Sequence, residues 1–222
     1  MSNFDPLYFL TAIPLILLSL ALHEYGHAAM ANALGDPTPR LQGRVTLNPI
    51  KHLDPAGTFM IIMTSFMGFG FGWGKPVQTN PTYYKDLRRD TILVAIAGPA
   101  MNLCQLMLAV GIANVLYITG AQLGSWGHLA FQIFIVINIA LMFFNLVPLP
   151  PLDGGHVATM LLPHPYGRRL QELGMNGVTF LVLMGLMFTG LLGLYLHWVV
   201  NTVFRLIAAG FGDDFLIWLL RG

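Results

Sequence analysis

A long apolar run, residues 7–34, contains two imidazoles and a carboxylate in the sequence His23-Glu24-Tyr25-Gly26-His27. As a helix rising about 1.5 Å per residue, the run is long enough to cross the ~30 Å hydrocarbon core of a bilayer. An acidic or basic group at that depth costs about 2.5–3.5 kcal/mol unless it has a partner. A helix whose histidines are merely satisfied core residues is therefore disfavoured, and the run predicts a membrane helix that carries a functional site.

The spacing of the two histidines points to a metal ion. Residues four apart lie one above the other on the same helix face, so His23 and His27 can reach one ion. Glu24 lies off that line and is placed to reach a metal-bound water instead of acting as a ligand. This His-Glu-x-x-His pattern predicts a zinc-binding helix with a built-in general base.

The composition places the whole chain in the membrane. Hydrophobic residues make up 55% and charged residues 9%, against about 25% charged in a soluble domain. One bundle of helices accounts for the length, so residues 1–222 are predicted to form a single domain. A net charge of +1 without a basic stripe argues against a nucleic-acid partner. No Lys or Arg precedes the first apolar run, which argues against a cleaved signal peptide.

Three more runs are apolar and long enough to span: residues 91–119, 128–147 and 175–200. With the first run they predict an all-α integral membrane bundle of about four spanning helices. The tail, residues 201–222, is interrupted by glycine and aspartate and predicts a helix lying at the interface. Residues 40–47 are short and rich in alternating and β-branched types, which predicts a small membrane-associated β element.

The glycine-rich segment 56–74 has basic residues on both sides. Because Lys and Arg collect on the cytoplasmic side, both ends are assigned to the cytoplasm, and a re-entrant hairpin is favoured over a span. A glycine-rich helix packed tightly against its neighbours is the alternative. Aromatic residues from Phe69 to Trp73 either contact substrate or anchor the segment at the interface. The flanking basic residues are Arg40, Arg44 and Lys51 before the segment and Lys75, Lys85, Arg88 and Arg89 after it.

This topology brings a third candidate ligand to the two histidines. With the N-terminus outside, the first and third spans both run inward, so Asp153 emerges on the side where His23 and His27 lie. Two histidines and one carboxylate leave a fourth position for water, which is typical of a catalytic zinc site. If residues 56–74 spanned the membrane, Asp153 would lie on the opposite face.

Four segments, in this order, resemble the site-2 protease family of intramembrane zinc metalloproteases. They are HEYGH at 23–27, NPIKHLDP at 48–55, AGPAMN at 97–102 and FNLVPLPPLDGGH at 144–156. A membrane-helix HExxH followed more than a hundred residues later by N-x-x-P-x-P-x-L-D-G is a specific combination. The chain looks like a minimal-core member, without a preceding span and without a PDZ-like or nucleotide-sensing domain.

The resemblance implies one zinc ion per chain, bound by His23, His27 and Asp153, with Glu24 as the catalytic base acting on a zinc-activated water. It implies that Asn145 holds the substrate backbone or the developing oxyanion; a helix-packing hydrogen bond is the alternative for this residue. The implied substrates are transmembrane proteins, cleaved in or near their membrane segments within the lipid bilayer. The expected location is a prokaryotic inner membrane, and the charge pattern predicts that the active site lies toward the cytoplasm.

Other polar residues have two interpretations each. His156 either orients a ligand or is a solvated residue at a helix start, and His52 and Asp54 either fold toward the zinc or form a turn. Asn102 is predicted to make a buried hydrogen bond between helices.

The predicted strand at 40–47 offers a template with which an unwound substrate could pair. In that case, proline substitutions along its edge would impair cleavage.

Two other classes of protein compete with the protease. A zinc transporter also places histidines and glutamates in broken membrane helices, but it needs a polar path across the bilayer. In this sequence the ionisable residues cluster toward one side, and the other halves of the spans are almost entirely apolar. An inactive relative that binds membrane helices without cutting them would lack part of the catalytic set, and no part of that set is missing.

Overall fold

The computed structural model describes residues 5–66 and 72–221, and in these ranges the chain forms ten α-helices. The sequence-distant helices α1, α4 and α5 pack against one another, and α6 packs against α4. The helices are α1 Pro6–Ala33, α2 Thr38–Leu41, α3 Pro55–Phe66, α4 Leu87–Ile118, α5 Ser125–Asn145, α6 Asp153–Leu161, α7 Tyr166–Met175, α8 Val178–Phe188, α9 Leu191–Phe211 and α10 Asp213–Leu219.

Within the described ranges, four helices are long and apolar enough to cross a membrane: α1, α4, α5 and α9. The predicted all-helical bundle of about four spans is therefore confirmed, and the chain is a multi-pass membrane protein. Three of the four spans lie where the sequence predicts them. Small side chains such as Ala28, Ala31 and Ala113 are fully buried, which lets neighbouring helix backbones approach closely.

The predicted fourth span, residues 175–200, is wrong as one continuous helix. Gly177 and Gly190 both have φ of +75°, a left-handed conformation that ends one helix and starts the next. The axes of α7 and α8 are bent by 75° at the first of these breaks. The fourth long helix is instead α9, which continues well into the region predicted as an interfacial tail.

The tail beyond α9 is a separate short helix that packs on the bundle. In α10, the side chains of Phe215 and Leu219 are completely buried. Phe215 and Trp218 both contact the ring of Tyr117 on α4. The predicted single interfacial helix over 201–222 is therefore wrong, because residues 201–211 extend a span, and α10 folds back onto α4 and α5.

The predicted β element at 40–47 is also wrong: no strand occurs in the part of the chain that the structure describes. Residues 38–41 form α2, and Gly43 then turns the chain with φ of +66°. Leu41 and Leu47 are exposed, so the apolar residues of this stretch are not buried against a core as those of a strand would be. Arg44 is buried instead, and its guanidinium donates to the carbonyl of Lys75.

The two ends of the glycine-rich segment 56–74 lie side by side. Leu53 and Gly74 form an isolated antiparallel bridge, and the amide of Lys75 donates to the carbonyl of His52 at 2.8 Å. Between them the chain forms α3, and residues 67–71, including Phe69 and its neighbouring glycines, lie outside the described ranges. After α3, the chain thus returns to the residues that precede α3 before it enters α4.

Candidate metal centre

The helix α1 places His23 and His27 one turn apart, facing the same point. Their Nε2 atoms are 3.1 Å apart. The side chains are buried, with 4% and 9% of their surface exposed. The helical HExxH geometry expected from the sequence is therefore present.

Asp153 is the first residue of α6, and it meets both histidines. Its Oδ2 lies 3.2 Å from His23 Nε2, and its Oδ1 lies 3.4 Å from His27 Nε2. The three candidate ligand atoms all lie within 4.8 Å of one another. Among the described residues, one group of three or more His, Cys, Asp or Glu side chains is close enough to hold a metal ion, and it consists of these three residues.

A glycine allows the carboxylate to reach this position. Asp153 is followed by Gly154, and a Cβ at residue 154 would lie under 3.0 Å from backbone atoms of Leu146 and Val147. The chain leaving α5 therefore passes directly against the first turn of α6. This close approach explains why glycine follows the aspartate in the L-D-G-G sequence.

The donor set fits zinc. Two imidazole nitrogens and a carboxylate oxygen form the ligand set of one class of catalytic zinc site. Tetrahedral bonds of about 2.0–2.1 Å separate neighbouring ligand atoms by about 3.3–3.4 Å. The observed separations of 3.1, 3.2 and 3.4 Å are close to that spacing. Among the described residues, the Oδ2 atom of Asp153 is also buried without a hydrogen-bond partner, as expected for a carboxylate oxygen that binds a cation.

The electrostatics of Asp153 favour the ionised carboxylate that a metal needs. Burial alone would raise its pKa, but the close contacts and charge of His23 and His27 outweigh burial and hold the pKa well below its ordinary value. The carboxylate therefore stays charged at neutral pH.

The hydrogen bond of His27 fixes which ring nitrogen faces the site. Its Nδ1 lies 2.7 Å from the carbonyl oxygen of Val94 on α4. Because a carbonyl only accepts, Nδ1 carries a proton, and Nε2 is the ring nitrogen available to a metal. The equivalent atom of His23, Nδ1, lies 2.7 Å from Oδ1 of Asn102.

Glu24 is half-buried and is held by the segment that returns from α3. The amide of Val77 donates to Oε2 of Glu24 at 3.1 Å. Gly74 also packs against this side chain, because a Cβ at that position would lie 3.2 Å from Cγ of Glu24. The chain from Gly74 to Val77 therefore lies beside the carboxylate predicted to be the base.

Asn145 lies on the last turn of α5 and is half-buried. Its Nδ2 donates to the carbonyl of Leu141 at 2.9 Å, one turn back on the same helix. The structure therefore gives this residue a local hydrogen bond, and its role toward substrate stays a prediction.

The other polar candidates lie outside the cluster. His52 is buried, its Nε2 is 2.8 Å from the carbonyl of Thr46, and burial lowers its pKa. Asp54 Oδ1 accepts from the amide of Gly57 at the start of α3, and His156 is exposed. The turn interpretation holds for His52 and Asp54. The predicted interhelical hydrogen bond of Asn102 is confirmed. Asn102 bonds to Asn138 on α5 and also to the candidate metal ligand His23 on α1.

Sequence reasoning missed several groups around the site. Two of them, the Val94 carbonyl and the Val77 amide, are backbone atoms and leave no signal in a side-chain pattern. Ser19 and Asn138 did leave one. Ser19 lies one turn before His23 on the same helix face, and Asn138 is an amide in the middle of an otherwise apolar span.

Comparison with known proteins identifies the family. The Bacillus subtilis candidate zinc metalloprotease YwhC is 37% identical over 188 residues, covering 82% of each chain. Residues 104–189, which include Asn145 and Asp153, match Peptidase family M50. The chain belongs to peptidase family M50. This is the site-2 protease family that the motifs resemble, so the M50 chain is a metalloprotease.

More distant relatives of this M50 chain agree. The candidate zinc metalloprotease Rip2 of Mycolicibacterium smegmatis is 34% identical over 140 residues, 62% of this chain and 52% of Rip2. Rip2 of Mycobacterium tuberculosis is 32% identical over 138 residues, with the same two coverages. No solved structure matches the chain.

Proposed function

We propose that this M50 chain is an intramembrane zinc-dependent endopeptidase that hydrolyses peptide bonds in or near the transmembrane segments of membrane proteins. The observation that carries the proposal is the convergence of His23, His27 and Asp153 beside Glu24. The motif lies inside a spanning helix, since His27 is six residues, about 9 Å, from the end of α1 at residue 33. A site at that depth is suited to substrates that enter from the bilayer.

His23, His27 and Asp153 would hold one zinc ion. When bound, zinc acts as a Lewis acid that lowers the pKa of a coordinated water to about 7 and polarises a carbonyl. The three residues supply three ligands and leave room for water and substrate, in contrast to a closed structural site. Their hydrogen bonds to α4 keep both imidazoles in the tautomer that binds metal.

Glu24 acts as the general base and then as the general acid. Its carboxylate takes the proton from the attacking water and delivers it to the nitrogen of the leaving amine. The Val77 amide holds Oε2, so the carboxylate is oriented before substrate arrives. Such orientation reduces the reorganisation needed at the moment of reaction.

Asn145 positions the substrate backbone or the developing oxyanion. A side-chain amide has two N–H donors, and one of them is directed to the carbonyl of Leu141. The second N–H can donate to substrate without breaking that bond. Asn145 also lies at the end of α5, eight residues before Asp153, close in sequence to the metal ligand.

The membrane arrangement follows from the same site. We infer that residues 56–74 form a re-entrant hairpin, supported by the Leu53–Gly74 bridge that joins its two ends. The chain would act as one domain in a bacterial cell membrane, with the site toward the cytoplasm. The basic residues that flank the hairpin support this orientation, and the relatives YwhC and Rip2 are bacterial.

The experiment that tests the proposal uses purified, detergent-solubilised protein and a generic single-span membrane protein as substrate. We expect cleavage in or near the span, loss of cleavage when a zinc chelator is added, and recovery when zinc is restored. Cleavage that persists at full chelation would contradict the zinc mechanism. Zinc flux into vesicles without any cleavage would instead identify a transporter.

A methyl group at Gly98 is expected to disrupt the metal site. A Cβ at this position of α4 would lie under 3.0 Å from ring atoms of both His23 and His27. Gly98→Ala should therefore displace both rings and weaken zinc binding by at least the roughly 10–100-fold caused by losing a supporting contact.

Gly111→Ala is the matched control, because Gly111 lies on the same helix and a Cβ there would meet no atom of the described residues within 4 Å. Zinc affinity of both variants can be measured by competition with a chromophoric chelator. Equal affinities in the two variants would show that α4 does not confine the rings.

A further inference from the structure

We propose that Asn138, acting through Asn102 and together with Ser19, is a positioning residue that holds the ring of His23 in its metal-binding tautomer. The inference rests on the proposed zinc function and assigns a role to a residue that does not touch the metal ligands. It concerns the chain of side-chain hydrogen bonds Ser19–Asn138–Asn102–His23.

The chain crosses three spanning helices and returns to its starting helix. Asn138 Nδ2 on α5 donates to Ser19 Oγ on α1 at 3.1 Å, and Asn102 Nδ2 on α4 donates to Asn138 Oδ1 at 3.0 Å. Asn102 Oδ1 lies 2.7 Å from His23 Nδ1. Ser19, Asn102 and Asn138 are all 0% exposed, so water does not replace these bonds.

One backbone contact fixes the orientation of the whole chain. The Nδ2 atom of Asn138 lies 2.9 Å from the carbonyl oxygen of Phe134, and a carbonyl only accepts. The amide nitrogen of Asn138 must therefore point there, and its oxygen must face Asn102. The nitrogen of Asn102 then faces Asn138, and its oxygen faces His23.

The consequence reaches the metal site. An amide oxygen only accepts, so Nδ1 of His23 must carry a proton, and Nε2 is the ring nitrogen available to a metal. This Nε2 atom lies 3.2 Å from Asp153. Without Asn138, the amide of Asn102 can rotate and offer its N–H groups to His23, which favours the wrong tautomer for metal binding.

The location of Asn138 makes the coupling specific. It lies on α5, whose C-terminal end leads to Asp153, so one helix supports a histidine ligand and also delivers the carboxylate ligand. A residue that only packs helices together would affect stability without selecting a tautomer.

The test is zinc affinity, measured by competition with a chromophoric chelator on the purified 222-residue chain in detergent. We expect Asn138→Leu and Asn102→Leu each to weaken zinc binding about 10–100-fold. The double variant should be no weaker than Asn102→Leu alone, because Asn138 acts only through Asn102. The conservative Asn102→Asp keeps an oxygen acceptor for His23 and should retain most of the affinity.

Gln105→Leu provides the matched control. Gln105 lies on α4 one turn from Asn102, is buried, and has no hydrogen-bond partner for its amide in the part of the chain that the structure describes. This variant should bind zinc like the wild type. Ser19→Ala is a milder variant that also interrupts the hydrogen-bond chain, and we expect it to lose less zinc affinity than Asn138→Leu. It provides the test if Asn138→Leu does not fold.

The outcomes separate this inference from the proposed function. Wild-type protein that binds one zinc, with unchanged affinity in Asn138→Leu or in the folded Ser19→Ala, would overturn the inference and leave the protease intact. Additive losses in the double variant would also overturn it. Wild-type protein that binds no zinc would overturn the proposed function and the inference with it.

Discussion

Glu24→Gln is expected to retain one zinc ion and to lose cleavage by about 10²–10⁴-fold, the usual contribution of a general base. The substitution preserves the size of the side chain but removes its ability to take a proton. Its amide can still meet the Val77 N–H through its oxygen. The three candidate ligands are untouched, so the metal site should persist.

The measurement is a cleavage time course at matched zinc content, determined by elemental analysis of each preparation. Glu172→Gln is the matched control, since Glu172 is an exposed carboxylate on α7 paired with Arg168 at 2.9 Å. That variant should cleave at the wild-type rate. Sustained turnover by zinc-loaded Glu24→Gln would contradict the assignment of the base.

Asp153→Ala is expected to abolish both zinc retention and cleavage. It leaves two imidazoles as the protein ligands, and it removes the anion that balances the charge of the cation. The affinity should fall by more than the roughly 10–100-fold typical of losing a supporting hydrogen bond. Zinc should then no longer raise the melting temperature, because a ligand stabilises only in proportion to its occupancy of the folded state.

Zinc content after dialysis and the zinc-dependent melting shift measure this effect together. Asp214→Ala, at an exposed carboxylate in the first turn of α10, is the control and should behave as wild type. Full zinc retention by Asp153→Ala would show that α6 does not supply a ligand.

The features that the sequence predicted correctly are governed by local length and spacing. Span α1 follows from a long, mostly apolar run, and the position of His23 and His27 on one helix face follows from the helical repeat. The meeting of Asp153 with these histidines required topology as well. It was predicted because basic residues on both sides of residues 56–74 favoured a hairpin over a membrane crossing. Asp153 was then expected on the same side of the membrane as the two histidines.

The predictions that failed depend on contacts between distant segments or on single backbone angles. The alternation at 40–47 suggested a strand, but Gly43 turns the chain and buried Arg44 bonds to Lys75, a residue far along the chain. The break between α8 and α9 depends on the left-handed conformation of Gly190. Many membrane helices contain glycine without breaking, so composition alone did not locate it.

The buried hydrogen-bond chain to His23 was only partly visible from the sequence. Asn102 stood out as an amide in an apolar helix, but its partner depends on how α4 rotates against α1. That rotation is set by packing at positions such as Gly98, where the helices approach closely. Pairing between side chains on different helices therefore had to come from the three-dimensional structure.

The most direct test of the central claim, a catalytic zinc site formed by His23, His27 and Asp153, is zinc X-ray absorption spectroscopy on purified wild-type protein containing one zinc per chain. The expected spectrum shows nitrogen and oxygen neighbours at about 2.0–2.2 Å and the outer-shell scattering of two imidazoles. The oxygen contribution should change in Asp153→Ala loaded with excess zinc. A sulfur neighbour at about 2.3 Å, an absence of imidazole scattering, or a protein that retains no zinc would contradict the claim.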